Sequence, residues 1–566
     1  MITACSGSSS DSTGSQCNDL IPIPEPVPSS PPVCDAPTND TITLSGNVEF
    51  ERVLHDGDDV GLNYSQVRLD AARAVTVQLV NSNNGAVLAT TTTDDSGFYS
   101  FTAPTNTAVY VRVRAEMVQS GSASWNVRVV DNTRNQALYT IAGDDACTGV
   151  TDESRDIVAT LGWTGTGYNT ATRQSGPFAI LDTIYQGMQL VINSQSSITF
   201  PALTVNWSIN NTNEPGDLAC GEISTSFFNP NTDSLYLLGS ENNDTDEFDQ
   251  HVVAHEWSHY LEFNFSRSDS IGGFHTDGDR LDMRVAFGEG YGNAMSAIIL
   301  NDTVYKDAIG TNQSSGFAFD VETEPLFNAG WYSEQSVQQI FYDLYDATNE
   351  NANGITDNLN MDFAPLWDVL KNEQRSGLPL TSIFSFITAL KANNLAESAN
   401  IDALVNSFDI NSSSTDAYGA NETNDANATP DTVLPVYTDL PLGVTPTRVC
   451  VTNEFGDIQP RSNALGMRRF MTFSIPSNGN YRFTASFATQ SIGNPSSPPP
   501  PADPDLALHQ AGLLGIAQAV GSTEQVCTSM NSGDYILELY DYSLFFLPSD
   551  NSSRCFDVSI VSTGSC

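Results

Sequence analysis

His255-Glu256-Trp257-Ser258-His259 sets two imidazoles four residues apart. On a helix, positions i and i+4 stand one turn apart on the same face. Both rings can then reach one Zn²⁺ ion, with Glu256 beside the open coordination position. The chain has only six histidines among its 566 residues, so two at this spacing are informative. His251 lies one turn earlier on the same face. It reads as a helix-packing residue, because a fourth protein ligand would close the site. A third ligand is still needed, and Phe287-Gly-Glu-Gly-Tyr-Gly-Asn-Ala-Met-Ser296 offers one. Glu289 reads as a carboxylate ligand at the start of a second helix. Asn293, one turn on, is placed to orient a liganding histidine by a hydrogen bond.

This pattern, HExxH followed by Gly-Glu-Gly on a later helix, resembles the gluzincin metallopeptidases over about residues 175–400. The run GEGYGN is most similar to the fungalysin-like group, with thermolysin-like enzymes more distant. The metzincin continuation is absent, since Leu261-Glu-Phe-Asn-Phe-Ser266 follows the motif. The resemblance implies His255, His259 and Glu289 as ligands of one catalytic zinc and Glu256 as general base. Asn293 stands where such enzymes commonly carry Asp. The implied chemistry is peptide hydrolysis by a zinc-activated water, with Glu256 passing a proton to the leaving amine. A second electrophile usually assists. The resemblance puts it near Gly330–Ser336 and so at Tyr332, with Tyr291 and His275 as rivals and simple packing as the other reading of Tyr332. His275, in Gly272-Gly-Phe-His-Thr-Asp-Gly-Asp-Arg280, either lines the cleft or, as the favoured reading, is an exposed loop histidine. Asp277, Asp279 and Asp282, and the stretch 346–358, are candidate Ca²⁺ ligands, although neither follows the EF-hand loop. Leu235-Tyr-Leu-Leu238 is either a core strand or one that pairs with an extended substrate.

The elements that must position these residues follow from hydrophobic periodicity. Ser175 and Pro177 open a helix whose apolar residues Phe178, Leu181, Ile184, Tyr185, Met188 and Val191 recur at helical spacing. Leu203–Ser208 alternates as a strand, and Asn229–Ser234 turns a hairpin between Ile223–Phe228 and Leu235–Leu238. Acidic residues 244–249 suit the N-terminus of the HExxH helix. Further helices are expected at 289–300, 334–346, 365–373 and 381–393. Residues 41–132 alternate in short strands between turns and read as a β-sandwich. Their "TTDDSGFYSF" turn resembles carboxypeptidase regulatory-like, Ig-like modules. The segments "NGNYRFTAS", "DPDLALH" and "SGDYILELYDY" resemble bacterial pre-peptidase C-terminal modules, also β-sandwiches.

The expected architecture is therefore multidomain. Residues 1–40 are a lipoprotein-like N-terminus with a Pro-rich linker, and 41–132 an Ig-like β-sandwich. An α+β zincin-type catalytic domain occupies 133–435, and a C-terminal β-sandwich 436–566. Ile2-Thr-Ala-Cys5 resembles the end of a bacterial lipoprotein signal, with Cys5 as the lipidated residue. The other eight cysteines, Cys17, Cys34, Cys147, Cys220, Cys450, Cys527, Cys555 and Cys566, form no CxxC and read as disulfides of an exported protein. Sequence proximity suggests Cys17–Cys34 and Cys147–Cys220, with the last four left open. A net charge of −46 argues against nucleic acid and against a polybasic membrane surface as partners. Membrane association would then rest on the lipid anchor. The expected function is a secreted or surface-anchored bacterial zinc endopeptidase acting on proteins or peptides. The alternative is a zinc-binding pseudoenzyme or adhesion lipoprotein without turnover.

Overall fold

The computed structural model describes residues 3–4, 17, 31–36, 39–55, 60–276, 278–348, 354–424, 433–455, 462–492, 499–546 and 552–566. Cys5 lies outside the described residues. The fold is mostly β, with several sheets and a set of helices: α1 (Gly176–Ser194), α2 (Gln250–Phe265), α3 (Met283–Leu300), α4 (Glu334–Tyr345), α5 (Phe363–Val369), α6 (Ile383–Asn393) and α7 (Ser398–Asn406). The chain forms two compact units. The amino-terminal unit comprises Gly7–Tyr260 and Met295–Asp320, and the carboxy-terminal unit is chiefly Leu261–Ala294 and Val321–Cys566.

In the amino-terminal unit a ten-stranded sheet runs in the order Phe227–Asn229, Ser234–Leu237, Leu203–Trp207, Trp125–Asp131, Ala108–Gln119, Val75–Asn81 and Val87–Thr92, with three short strands added at its side. The alternation in Ala108–Gln119 buries every second residue, as a half-covered strand requires. Trp125–Asp131 pairs in parallel with Leu203–Trp207. The expected border at 132/133 therefore falls inside one sheet. Periodicity identifies strands but not their partners, and Trp125–Asp131 gains a ladder by accepting a strand from later in the chain. A five-stranded sheet is organised around Thr41–His55.

Helix α1 begins with Pro177 in its first turn, while the hydroxyl of Ser175 makes no capping bond. Its predicted apolar stripe, Phe178 to Val191, is buried. At Gly187 a Cβ would stand 2.6 Å from the Trp257 ring of α2, so only glycine permits this approach.

The disulfides of this unit correct the pairing by proximity. Cys17 joins Cys220, and Cys34 joins Cys147. The fold instead carries each cysteine to a distant partner: Cys147 pairs opposite Ala108 in the sheet, and the carbonyl of Ala36, close to Cys34, accepts the side-chain amide of neighbouring Asn106.

The carboxy-terminal unit ends in two sheets. One runs Tyr437–Asp439, Arg468–Ile475, Gly533–Asp541, Pro504–His509, Leu513–Ala517. The other runs Gly443–Thr452, Ser553–Thr563, Gly479–Ser491, Thr523–Met530. Alternating residues such as Val449, Val451, Phe473, Phe483, Leu537, Phe556 and Val558 form one core, as in a β-sandwich. Cys450–Cys555 and Cys527–Cys566 close it. The sandwich is locked to the start of α3 by a buried ionic knot. Arg284 meets Glu538 at 3.0 and 3.1 Å and Asp282 at 2.9 Å, while Glu538 also takes Arg468 at 2.6 Å and His509 at 2.9 Å.

Candidate metal centre

Helices α2 and α3 are buried along most of their length, and both carry acids, amides or imidazoles inside. Buried polar side chains are the informative exception in a core, since each must find a partner. In the amino-terminal unit, His255 is fully buried, and its Nε2 stands 3.0 Å from Nε2 of His259, with the rings edge to face. Two neutral imidazoles that close can share at most one N–H. A borderline metal taking one lone pair from each fits this donor set. Glu256 is buried beside them, and its carboxylate accepts the Phe228 N–H at 2.9 Å. Phe228 belongs to Phe227–Asn229, the edge strand of the ten-stranded sheet. The Leu235–Leu238 segment lies inside the sheet, its strand Ser234–Leu237 paired on both sides. Leu235–Leu238 is therefore a core strand, and the edge open to an added strand is its neighbour.

His251 packs, as its position implied. Its Nδ1 lies 3.0 Å from Ser296 Oγ and its ring 5.2 Å from Tyr305. Burial, aided by His55 and Lys306, pushes its pKa down to about 3, so the ring is neutral.

In the carboxy-terminal unit α3 starts at Met283, so Glu289 lies well inside the helix and not at its start. The missed signal is Asp282, which caps it: its Oδ1 accepts the Arg284 N–H at 3.0 Å. Gly290 lets α4 close in, since a Cβ there would be 2.7 Å from both the Glu334 carbonyl and Val337. The amide of Asn293 donates to Glu334 at 2.7 Å and Gln338 at 2.9 Å, both on α4.

His275 departs from its reading as an exposed loop residue: it is 1% exposed. Positive φ angles at Gly272 and Gly273 turn the loop inward. Its Nε2 then lies 3.7 Å from Glu289 and 3.5 Å from Glu334. Burial favours the neutral ring, but Glu334 and Glu289 outweigh it and raise its pKa. Tyr291 is a core residue among Phe287 and Phe341. Tyr332 is half-buried against Trp331, and its carbonyl accepts the Leu281 N–H.

Of the expected calcium ligands, Asp279 and Asp282 are engaged within the chain. Asp282 holds Arg284, and Asp279 accepts the N–H and hydroxyl of Thr276 at 2.7 and 3.0 Å. Asp277 and residues 349–353 lie outside the described residues. In the second stretch Asp346 and Asp357 accept backbone N–H groups of Thr348 and Leu359.

No family model matches the chain, and no curated protein sequence is similar to it. Solved structures align with parts of it. The pre-peptidase C-terminal domain of a collagenase from Bacillus anthracis is 16% identical over 22% of this chain and 93% of its own, with a TM-score of 0.14. PliG, a periplasmic inhibitor of g-type lysozyme from Aeromonas hydrophila, is 11% identical over 22% and 97%, with a TM-score of 0.13. The precursor of protealysin, a metalloproteinase from Serratia proteamaculans, is 9% identical over 51% and 88%, with a TM-score of 0.29. Scores this low carry no functional weight, and the site stands on its own residues.

Proposed function

We propose that this protein is a secreted or surface-anchored zinc-dependent endopeptidase, with His255, His259 and Glu289 as the metal ligands. Each offers one ligand atom: an imidazole nitrogen from each histidine and a carboxylate oxygen from Glu289. The observation that carries this reading is the pair of Nε2 atoms brought to 3.0 Å on α2, with Glu256 buried one residue away. Bound zinc supplies a Lewis acid that makes water acidic near neutral pH and polarises a carbonyl. Glu256 takes the proton from water and delivers it to the departing amine nitrogen. Its bond from Phe228 holds the carboxylate beside the edge strand, where an extended peptide can add by backbone pairing. His275, next to Glu289, is favoured over Tyr332 as the donor to the developing oxyanion. Four disulfides fit an oxidising compartment. No helix among the described residues is long and apolar enough to cross a membrane.

The test is cleavage of a complex peptide mixture by zinc-loaded protein, read as new termini by mass spectrometry. New termini are expected from the wild type and should fall at least about 100-fold in Glu256→Ala. Termini that persist unchanged in the variant, or a wild type that holds one zinc and cuts nothing, would contradict the proposal.

A further inference from the structure

A second constellation lies within the amino-terminal unit, in a four-stranded sheet ordered Gly239–Ser240, Asp244–Thr245, Val304–Ile309, Ser315–Asp320. Asp244 stands opposite Ile309 in this sheet. Asp307, two residues before Ile309, therefore shares its face. Asp246 follows directly after the Asp244 strand. One carboxylate oxygen each from Asp244, Asp246 and Asp307 lies within 4.8 Å of the other two.

These acids differ from Glu247 and Asp249 beside them, which pair with basic side chains. Asp246 is 2% exposed, and its Oδ2 accepts the Ser226 hydroxyl, but its Oδ1 has no hydrogen-bond partner. Asp244 Oδ1 and Asp307 Oδ1 are likewise buried without one. The neighbouring acids are answered from within the chain. Glu247 takes Arg173 at 2.5 Å and the Trp207 N–H at 3.2 Å. Asp249 takes His55 at 3.1 Å and the Ala308 N–H at 2.9 Å. Burial raises all three carboxyls, that of Asp244 to about 7; Asp249 adds repulsion at Asp244, Asp244 and Asp307 add it at Asp246, and Asp244 and Asp249 add it at Asp307. Three acids held this way must either take up protons or share a cation.

We propose that Asp244, Asp246 and Asp307 bind a calcium ion. An all-oxygen carboxylate set selects a hard divalent cation over zinc. Oxygens spread over this distance can share an ion at about 2.3–2.6 Å, and calcium tolerates irregular geometry better than magnesium. The bound ion ties the segment leading into α2 to the strand that follows α3. This site is independent of the zinc reading, and its test does not depend on peptidase activity.

The test is calcium titration of the full chain supplied with one equivalent of zinc, by calorimetry and by thermal melting. Wild type is expected to bind one calcium and to melt several degrees higher when it is saturated. Asp246→Asn should weaken calcium binding at least 100-fold and abolish the rise. In calcium-free buffer Asp246→Asn should melt no lower than wild type, because it removes a repelled charge, and this separates lost binding from lost folding. Asp307→Asn should behave the same way. Magnesium at the same concentration should give less than a tenth of the occupancy. A wild-type melt indifferent to calcium, an equal rise in Asp246→Asn, or an equal response to magnesium would overturn the assignment.

Discussion

Glu538 in the carboxy-terminal unit and Asp246 in the amino-terminal unit are both buried acids, but the chain treats them differently. Glu538 receives Arg284 through two bonds, Arg468 and His509. Asp246 receives a hydroxyl, and its closest acidic company is Asp244 and Asp307. The electrostatic result has opposite signs. Burial alone would raise both carboxyls, yet Arg284 and Arg468 hold Glu538 well below the usual carboxylate range, whereas Asp246 is driven well above it. A fold that meant both clusters to be structural would neutralise both. Here one carries its own cations, and the other has the donor set of an ion site.

This contrast can be broken from its strong side. Arg284→Met leaves Glu538 and Asp282 buried with a cation missing, and should cost about 3–5 kcal/mol in denaturant unfolding. Glu538→Gln in the same background should return part of that loss. Arg173→Ala strips the buried partner of Glu247 and should cost about 3 kcal/mol by the same measurement.

Acid sharpens the comparison. Arg284, Arg468 and His509 face Glu538, and Asp282 shares Arg284 with it. Its folded pKa lies below its unfolded value near 4.5, so its contribution to stability is complete above that pH and is lost as pH falls through the folded pKa. Unfolding free energy should therefore drop below about pH 4.5, and less steeply in Glu538→Gln. The smallest effect is expected at the other cluster. Asp246→Asn in calcium-free buffer should change stability by no more than about 0.5 kcal/mol, whereas a loss above 2 kcal/mol would make that acid a structural partner like Glu538.

Much of the first site was legible because its information is local. The i, i+4 spacing of His255 and His259 needs only a helix, and the apolar repeat of α1 and the alternation of Gly479–Ser491 are equally local. What depended on long-range pairing was not legible. Cys17 finds Cys220 across a sequence separation of 203 residues. Trp125–Asp131 takes a partner strand from beyond an intervening helix. His275 reads as a loop residue, yet the loop's two glycines, both at positive φ, accompany its burial. Asp244 and Asp246 read as acids suited to a helix N-terminus, since nothing local reveals that Asp307 comes to the same face of a sheet.

The central claim is that α2 and α3 supply one metal site. The most direct measurement is the zinc content and zinc affinity of purified wild type, His259→Ala and Glu289→Ala, by metal analysis after dialysis against a competing chelator. One zinc per wild-type chain is predicted, with affinity reduced at least 100-fold in each variant and peptide cleavage lost alongside. Equal zinc retention by wild type and Glu289→Ala would contradict the account.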